Sequence, residues 1–298
     1  MTKLLFVRQP HVYLPEISAY KSYLAKQHPT VQTFESTDLQ TYSPTDYDIL
    51  WHFMGQDIKG QGNYVVHEYN SLSTQPFAST KNFIKRMINA RPDQRVFLNE
   101  IVSKAFNFKD SVPHFLRDMG VDDAFYSTKL SHTPQYDFIC VGGLNREPTI
   151  SQFLEHFSQK MSDATLLLVG DAPAILKQRF RHAENITFKG RVSYQDIPNL
   201  MAQAKYGLNL MPDIYPFNIQ TATKVLEYAA LNLPIISTNY QWIKDFENDY
   251  KTTCFKLSAN MENLSLQKLH QFEFKIPDIS SLRWHNVIEQ SGIFSFLK

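Results

Sequence analysis

Only two of the 298 residues are cysteine, Cys140 and Cys254. A disulfide framework is therefore excluded. Both lie in apolar contexts, where a thiol serves as a small core side chain. An excess of one charge is also lacking: the formal net charge is +1. Affinity for nucleic acid through bulk charge is thereby ruled out. No apolar run approaches the roughly 20 residues that cross a bilayer. The opening segment, Met1 to Arg8, is broken by charge after a short apolar stretch, so it reads as a strand and not a signal peptide. A cytosolic protein is expected, in which the sequons Asn185-Ile186-Thr187 and Asn263-Leu264-Ser265 are chance matches. The ten histidines show no metal-ligand spacing. Asp46-Tyr47-Asp48 has an acidic spacing suited to metal, but it precedes its strand, whereas a metal-binding pair should close one. It reads as a turn, and no metal is expected.

What is present is a chain able to build packed cores. The hydrophobic fraction is 43% and the charged fraction 20%, and the length suits roughly two domains. From Tyr136 onward short apolar strands alternate with helices. Tyr136 to Val141, Thr165 to Val169, Ile186 to Phe188 and Tyr206 to Leu210 read as strands. Ile150, Phe153, Leu154 and Phe157 recur at helical spacing, as do Ile197, Leu200, Met201 and Ala204. Pro173 to Ala183 reads as a helix. Ser193, with Asp196 three residues on, is the start of a capping box. Asn232 stands where a left-handed helix end is required. This alternation implies α/β architecture with a parallel, doubly wound sheet. Ligands of such sheets bind outside the carboxyl ends of the strands. Those ends carry Gly142-Gly143, Gly170, Gly190-Arg191 and Met211-Pro212.

The first half is less regular. Lys3 to Val7, Val31 to Phe34, Asp48 to Phe53, Tyr64 to His67 and Arg95 to Leu98 are strand candidates. Ile17, Tyr20 and Leu24 mark a helix, and further helices fit Ser79 to Ala90 and Asp110 to Met119. A polar stretch, Ser127 to Gln135, joins the halves. The predicted domains are therefore 1–130 and 131–278, with a helical segment, 279–298, packing back on the first.

The densest signal runs from Asn218 to Thr238. Polar residues lead into a helix that carries Lys224 and Glu227 three apart, and the strand Pro234 to Ser237 follows. A helix start with open N–H groups is an anion site. A lysine adds a cation, and a glutamate adds an acceptor for sugar hydroxyls. The plainer reading is a surface ion pair worth a few tenths of a kcal/mol.

The run Ile186-Thr187-Phe188-Lys189-Gly190-Arg191-Val192, with Tyr206 to Pro212, Thr223 to Ala230 and Leu233 to Ser237, resembles the donor half of GT-B, group 1 (family 4-like) glycosyltransferases. The resemblance implies two Rossmann-like domains facing across a cleft. It implies transfer of a sugar from a UDP- or GDP-sugar to a saccharide or lipid-linked glycan, with retention, in cell-surface polysaccharide or glycolipid synthesis. It assigns Glu227 to the ribose hydroxyls and Thr221, Ala222 and Thr223 to the diphosphate. Lys224 or Arg191 would neutralise the leaving phosphate. Gly142, Gly143 and the nearby Arg146 would form the first donor loop, and Gly190 to Tyr194 would flank the base. Asn218 and Gln220 complete the donor set. Ile219 departs from the pattern, because many relatives carry a second glutamate at that position. His67 resembles the acceptor-side histidine and is the third catalytic candidate. Glu68 could face the acceptor instead, since strand alternation turns only one of the two inward. A nucleotide-binding partner subunit without catalysis, and a sugar-nucleotide epimerase or hydrolase of the same fold, are the alternatives.

One more segment has two readings. In residues 79–95, Phe83, Ile84, Met87 and Ile88 form an apolar stripe. Five cations (Lys81, Lys85, Arg86, Arg91 and Arg95) stand against one acid, Asp93. This is either a packed helix with a solvated basic face or a contact with an anionic membrane surface, such as an inner leaflet holding a lipid-linked acceptor.

Overall fold

The computed structural model describes all residues except 11–12, 39–41, 56, 58, 74–75 and 298. It divides into two compact units, Met1–Gly120 with Ser281–Lys298, and Val121–Ser280. The first unit contains β1 (Thr2–Val7), α1 (Pro15–Gln27), β2 (Val31–Ser36), β3 (Ile49–Phe53), β4 (Tyr64–Tyr69), α2 (Ala78–Ile88), β5 (Gln94–Phe97), α3 (Glu100–Phe106) and β6 (His114–Leu116). The second runs α4 (Asp123–Ser127), β7 (Tyr136–Val141), α5 (Thr149–Lys160), β8 (Leu166–Val169), α6 (Ala174–Arg179) and β9 (Ile186–Gly190). It continues α7 (Ile197–Met201), β10 (Ala204–Asn209), α8 (Thr223–Ala230), β11 (Ile235–Thr238), α9 (Gln241–Tyr250), β12 (Phe255–Leu257) and α10 (Leu266–Gln271). A last helix, α11 (Trp284–Ser291), belongs to the first unit.

Each unit holds one six-stranded parallel sheet. The order is β2-β1-β3-β4-β5-β6 in the first and β12-β11-β10-β7-β8-β9 in the second. The chain reverses its direction of growth beside β1 in one and beside β7 in the other, and such switch points are where doubly wound sheets open a crevice. The expected α/β architecture, with a doubly wound parallel sheet in each of two units, is what the chain adopts. Strands β3, β5 and β8 are buried at every residue, as expected where helices cover both faces of a sheet. No helix among the described residues is long and apolar enough to cross a membrane.

The first unit packs α1 and α11 on one face of its sheet. Tyr20 meets Trp51 at 5.4 Å between ring centroids and Phe294 edge-on at 5.4 Å. Gln94 Nε2 donates to the Ile293 carbonyl at 2.9 Å, which ties the last segment to β5. Inside this apolar layer lies a charged cluster. Glu68 accepts from Trp51 Nε1 at 2.7 Å, from the Tyr20 hydroxyl and from the Arg117 guanidinium. Glu16 lies 3.7 Å from Arg117, and all three charged side chains are buried. Burial raises the Glu68 pKa, opposed by Arg117 and reinforced by Glu16.

Two expectations are corrected. Asp110 to Met119 is not a helix. Pro113 supplies no N–H there, and its carbonyl accepts from Arg95 N at 2.9 Å. His114–Leu116 then pairs with β5 as the edge strand β6, a location where proline is tolerated. The apolar stripe of α2 is also not packed: Phe83, Ile84, Met87 and Ile88 are exposed, while Ala78 and Asn82 are buried. Arg91 and Arg95 are not on that helix. Arg95 is buried on β5 in a two-pronged pair with Asp110, at 2.5 and 2.8 Å. Arg91 donates to Ser111 Oγ at 3.2 Å.

Elsewhere local chemistry settles the structure as expected. Asn232 takes φ 61° at the end of α8. Asp46 sits in a 3-10 turn, and Asp48 Oδ2 accepts from Lys3 N at 2.8 Å, so the acidic pair forms the turn leading into β3. Both cysteines are buried and unpaired, and burial pushes both thiols up to about 12.

Candidate functional site

In the second unit β7, β8 and β9 end side by side, and the loops after them are held in register by backbone bonds. Gly142 N donates to the Val169 carbonyl at 2.8 Å, and Gly170 N to the Gly190 carbonyl at 2.9 Å. Gly142, Gly143 and Gly190 all have left-handed φ, at 71°, 65° and 80°. At Gly143 the requirement is double: a Cβ there would stand 2.5 Å from the Arg146 guanidinium. The missing side chain at Gly143 is what lets Arg146 fold back over the loop.

Arg146 is the most informative group of this rim. No carboxylate within ion-pair distance faces it among the described residues. Burial lowers its pKa from the ordinary guanidinium value, and its polar surroundings are Cys140, Tyr240 and Tyr228, weak acids that are neutral at pH 7. A partly desolvated cation without a counter-charge is costly unless an anion arrives. Its place after β7 is the switch point of the sheet.

Helix α8 closes the other side. Ala222 occupies the N-cap position and has no side-chain oxygen, so no side chain caps the helix. The first N–H groups of α8 therefore point to an open start, next to the positive end of the helix dipole. On the next turn Glu227 is wholly buried, with Oε2 accepting from Lys224 Nζ at 2.5 Å and Oε1 from the Tyr194 hydroxyl at 3.1 Å. A surface ion pair is thus excluded, because the carboxylate has no exposure and only Lys224 remains partly open, at 28%. Tyr194 also places its ring 5.5 Å from Lys224 Nζ. It is held there by the turn after Ser193, whose Oγ accepts from Gln195 N at 3.3 Å, and by Phe125 at 5.7 Å.

The segment before α8 contributes two polar atoms with unused capacity. Asn218 Oδ1, an acceptor, and Gln220 Nε2, a donor, are buried without hydrogen-bond partners. They flank Ile219, whose aliphatic side chain offers no such group. Below them lies a polar cluster that sequence reasoning missed. Asn209 Nδ2 donates to Ser237 Oγ at 2.9 Å and to the Tyr240 hydroxyl at 2.8 Å. The Thr238 hydroxyl bridges to Met211 N at 3.0 Å and to the Met211 carbonyl at 2.6 Å. Their one sequence signal is position: Asn209, Thr238 and Tyr240 stand at or just past the carboxyl ends of β10 and β11, where the rule of strand ends would place ligand-side residues.

Of the predicted site, Glu227, Lys224 and the Gly190 to Tyr194 loop come together through Tyr194, and Gly143 and Arg146 meet in the first loop. Arg191 is placed otherwise. It is 71% exposed and pairs with Asp171 at 2.9 Å, a surface contact worth under about 1 kcal/mol. His67 lies in the first unit and is fully buried. Its Nε2 stands 3.4 Å from Asp57 Oδ2, its ring meets His52 edge-on at 5.8 Å, and Nδ1 has no partner. Glu68, on the opposite face of β4, is consumed by the Arg117 cluster, which removes it as an acceptor-facing group. No group of three or more possible metal ligands occurs among the described residues.

Residues 135–264 match the family described as glycosyl transferases group 1. Similar solved structures include HepE from Anabaena in complex with UDP and glucose, at TM-score 0.69 and 13% identity, covering 100% of this chain and 99% of that one. Sucrose-phosphate synthase from Thermosynechococcus elongatus gives the same TM-score, identity and coverage. UDP-GlcNAc 2-epimerase from Methanocaldococcus jannaschii aligns at TM-score 0.55 and 11% identity over 99% of this chain and 100% of that one. No curated protein matches the chain significantly in sequence. At these identities the likeness is one of fold. The match over 135–264 lies within the second unit, and together with the likeness in fold it bears out the expected resemblance to GT-B, group 1 glycosyltransferases.

Proposed function

We propose that the second unit of this glycosyltransferase holds a nucleoside-diphosphate sugar on its carboxyl rim, and that the chain passes the sugar to a hydroxyl of a saccharide or lipid-linked glycan. The observation that carries this reading is Arg146, a largely buried cation at the switch point that no acid among the described residues balances. A diphosphate supplies the missing charge. The open start of α8, with Thr221, Ala222 and Thr223, adds N–H groups and dipole on the same anion. UDP bound to the HepE neighbour supports uridine as the base.

Glu227 is the ribose partner in this reading. Each carboxylate oxygen accepts one bond from Tyr194 or Lys224 and keeps a second acceptor site. Because Glu227 is fully covered, the ribose displaces one of those partners, and a displaced Lys224 ammonium is then available to the diphosphate. Asn218 Oδ1 and Gln220 Nε2 take the hydroxyl contacts that a second glutamate at position 219 would have made. Catalysis lies in stabilising the departing diphosphate, by the α8 dipole, Lys224 and Arg146. Transfer with retention at a front face needs no dedicated general base, and none is assigned. His67 serves the acceptor in a conformation that uncovers it.

Ile219 also favours a second reading, a partner subunit that binds nucleotide without turnover, and the epimerase neighbour keeps a third in view. Calorimetry with UDP- and GDP-sugars, followed by assays of transfer, hydrolysis and epimerisation, separates the three. Glu227→Ala should weaken nucleotide binding roughly 10- to 100-fold, the worth of hydrogen bonds to a charged group. An unchanged affinity in a folded variant removes the ribose assignment, and no nucleotide binding at millimolar ligand sinks the main reading.

A further inference from the structure

Helix α2 is amphipathic in the wrong sense for a helix that packs on a core. Its inward side is Ala78 and Asn82, and Asn82 Oδ1 accepts from Ser73 N at 3.1 Å. Its outward side is apolar: Phe83 is 52% exposed, Ile84 48%, Met87 65% and Ile88 50%, and Phe77 just before the helix is 72% exposed. Ile101 on the adjacent α3 is exposed as well. A soluble surface helix normally turns such a stripe inward, and a contiguous exposed patch of this kind marks an interaction face.

The charge around the patch selects the partner. α2 carries Lys81, Lys85 and Arg86 and no acidic residue. Lysine and arginine stems of this kind lie along apolar surface while their charged heads reach polar groups. Beside the patch, between α2 and α3, is an open groove of about 450 Å³ lined by Ser79, Thr80, Phe83, Arg86 and Lys104. Arg86 is fixed in it, since Nη1 donates to the Phe106 and Asn107 carbonyls at 3.2 and 3.1 Å and the guanidinium stands 4.9 Å from the Phe83 ring. Lys104 is exposed and pairs with Glu100 one turn back, so the groove offers two hydroxyls, the Arg86 guanidinium and an ammonium shared with that acid, a set that suits a phosphodiester. Apolar side chains to enter acyl chains, cations around them and a phosphate-sized polar groove beside them form one combination, the chemistry of an anionic glycerophospholipid surface.

We propose that α2 and α3 form a bilayer-docking face, in which Phe77, Phe83, Ile84, Met87 and Ile88 enter the interface and the Arg86–Lys104 groove holds an anionic lipid headgroup. This assignment does not depend on the donor chemistry of the second unit. Flotation of the full chain with phosphatidylcholine vesicles, with and without phosphatidylglycerol, tests it. Binding should require phosphatidylglycerol and should weaken with salt. The exposed double variant Phe83→Ser/Met87→Ser should keep its circular dichroism and melting temperature and lose binding roughly tenfold or more. Lys104→Ala should reduce the preference for the anionic vesicles. Failure to bind phosphatidylglycerol vesicles overturns the proposal, as does equal binding to both vesicle types or a double variant that binds like the parent. Light scattering covers the remaining occupant: a dimer that the double variant turns into monomer, with neither form binding vesicles, makes the face a self-association surface and overturns the proposal too.

Discussion

Glu68 in the first unit and Glu227 in the second are both fully buried glutamates paired with a cation, and their partners differ. Glu68 meets Arg117, itself at 0% exposure, together with Tyr20 and Trp51, inside an apolar layer. Every partner is shielded from solvent. Glu227 meets Lys224, which is 28% exposed, and Tyr194 from a loop. One carboxylate is saturated by groups that cannot leave. The other is held by groups at the edge of a rim, which can exchange for a ligand. Burial is the same at both acids; the exposure of the partner is what differs.

The largest expected effect breaks the first half of this contrast. Arg117→Met leaves Glu68 and Glu16 buried without a cation and should cost about 3–5 kcal/mol. Two of the three tryptophans, Trp51 and Trp284, lie in that unit, so the urea midpoint of tryptophan fluorescence in a Trp242→Phe background reads it. A loss below about 1 kcal/mol would mean that the cluster is not structural. Next is Arg146→Met, the mirror experiment. Here a cation without a counter-ion is removed, so the melting temperature should hold or rise, while UDP affinity measured by calorimetry falls roughly 10- to 100-fold. Marked destabilisation with unchanged affinity would place Arg146 with Arg117 as a structural cation. The smallest effect comes from the first loop. Gly142→Ala and Gly143→Ala each force a side chain into left-handed backbone and should lose about 1–2 kcal/mol. Only at Gly143 does the new methyl meet Arg146, since the space at Gly142 is open. Gly143→Ala should therefore weaken UDP binding more than Gly142→Ala, and equal losses would detach Arg146 from the donor.

Much of the second unit was legible along the chain. Three of its six strands end in glycines, its helices show their period, and the Asn218 to Thr238 run carries its own start, ion pair and stop. The candidates Lys224 and Glu227 follow from that local pattern, whereas Arg146 enters only through the resemblance to the family. Tyr194 as partner of Glu227 was not legible, because 33 positions separate them. The Asn209–Ser237–Tyr240 cluster was missed for the same reason: ordinary polar residues on separate strands signal nothing until the sheet aligns them.

The first unit was less legible because its decisive contacts are longer in range. The segment 110–119 has enough apolar residues for a helix, and pairing with β5 makes it a strand. His67 and Glu68 were placed on opposite faces by strand alternation, yet which face holds a charged cluster depends on Arg117, 49 positions on. Periodicity and turn chemistry act within a few residues, so the sequence by itself determined the α/β alternation, the glycine-ended rim and the α8–β11 motif. Burial and charge balance are sums over neighbours from distant segments. Only the tertiary structure decided that Glu227 is covered, that no acid among the described residues pairs with Arg146 and that the apolar face of α2 looks outward.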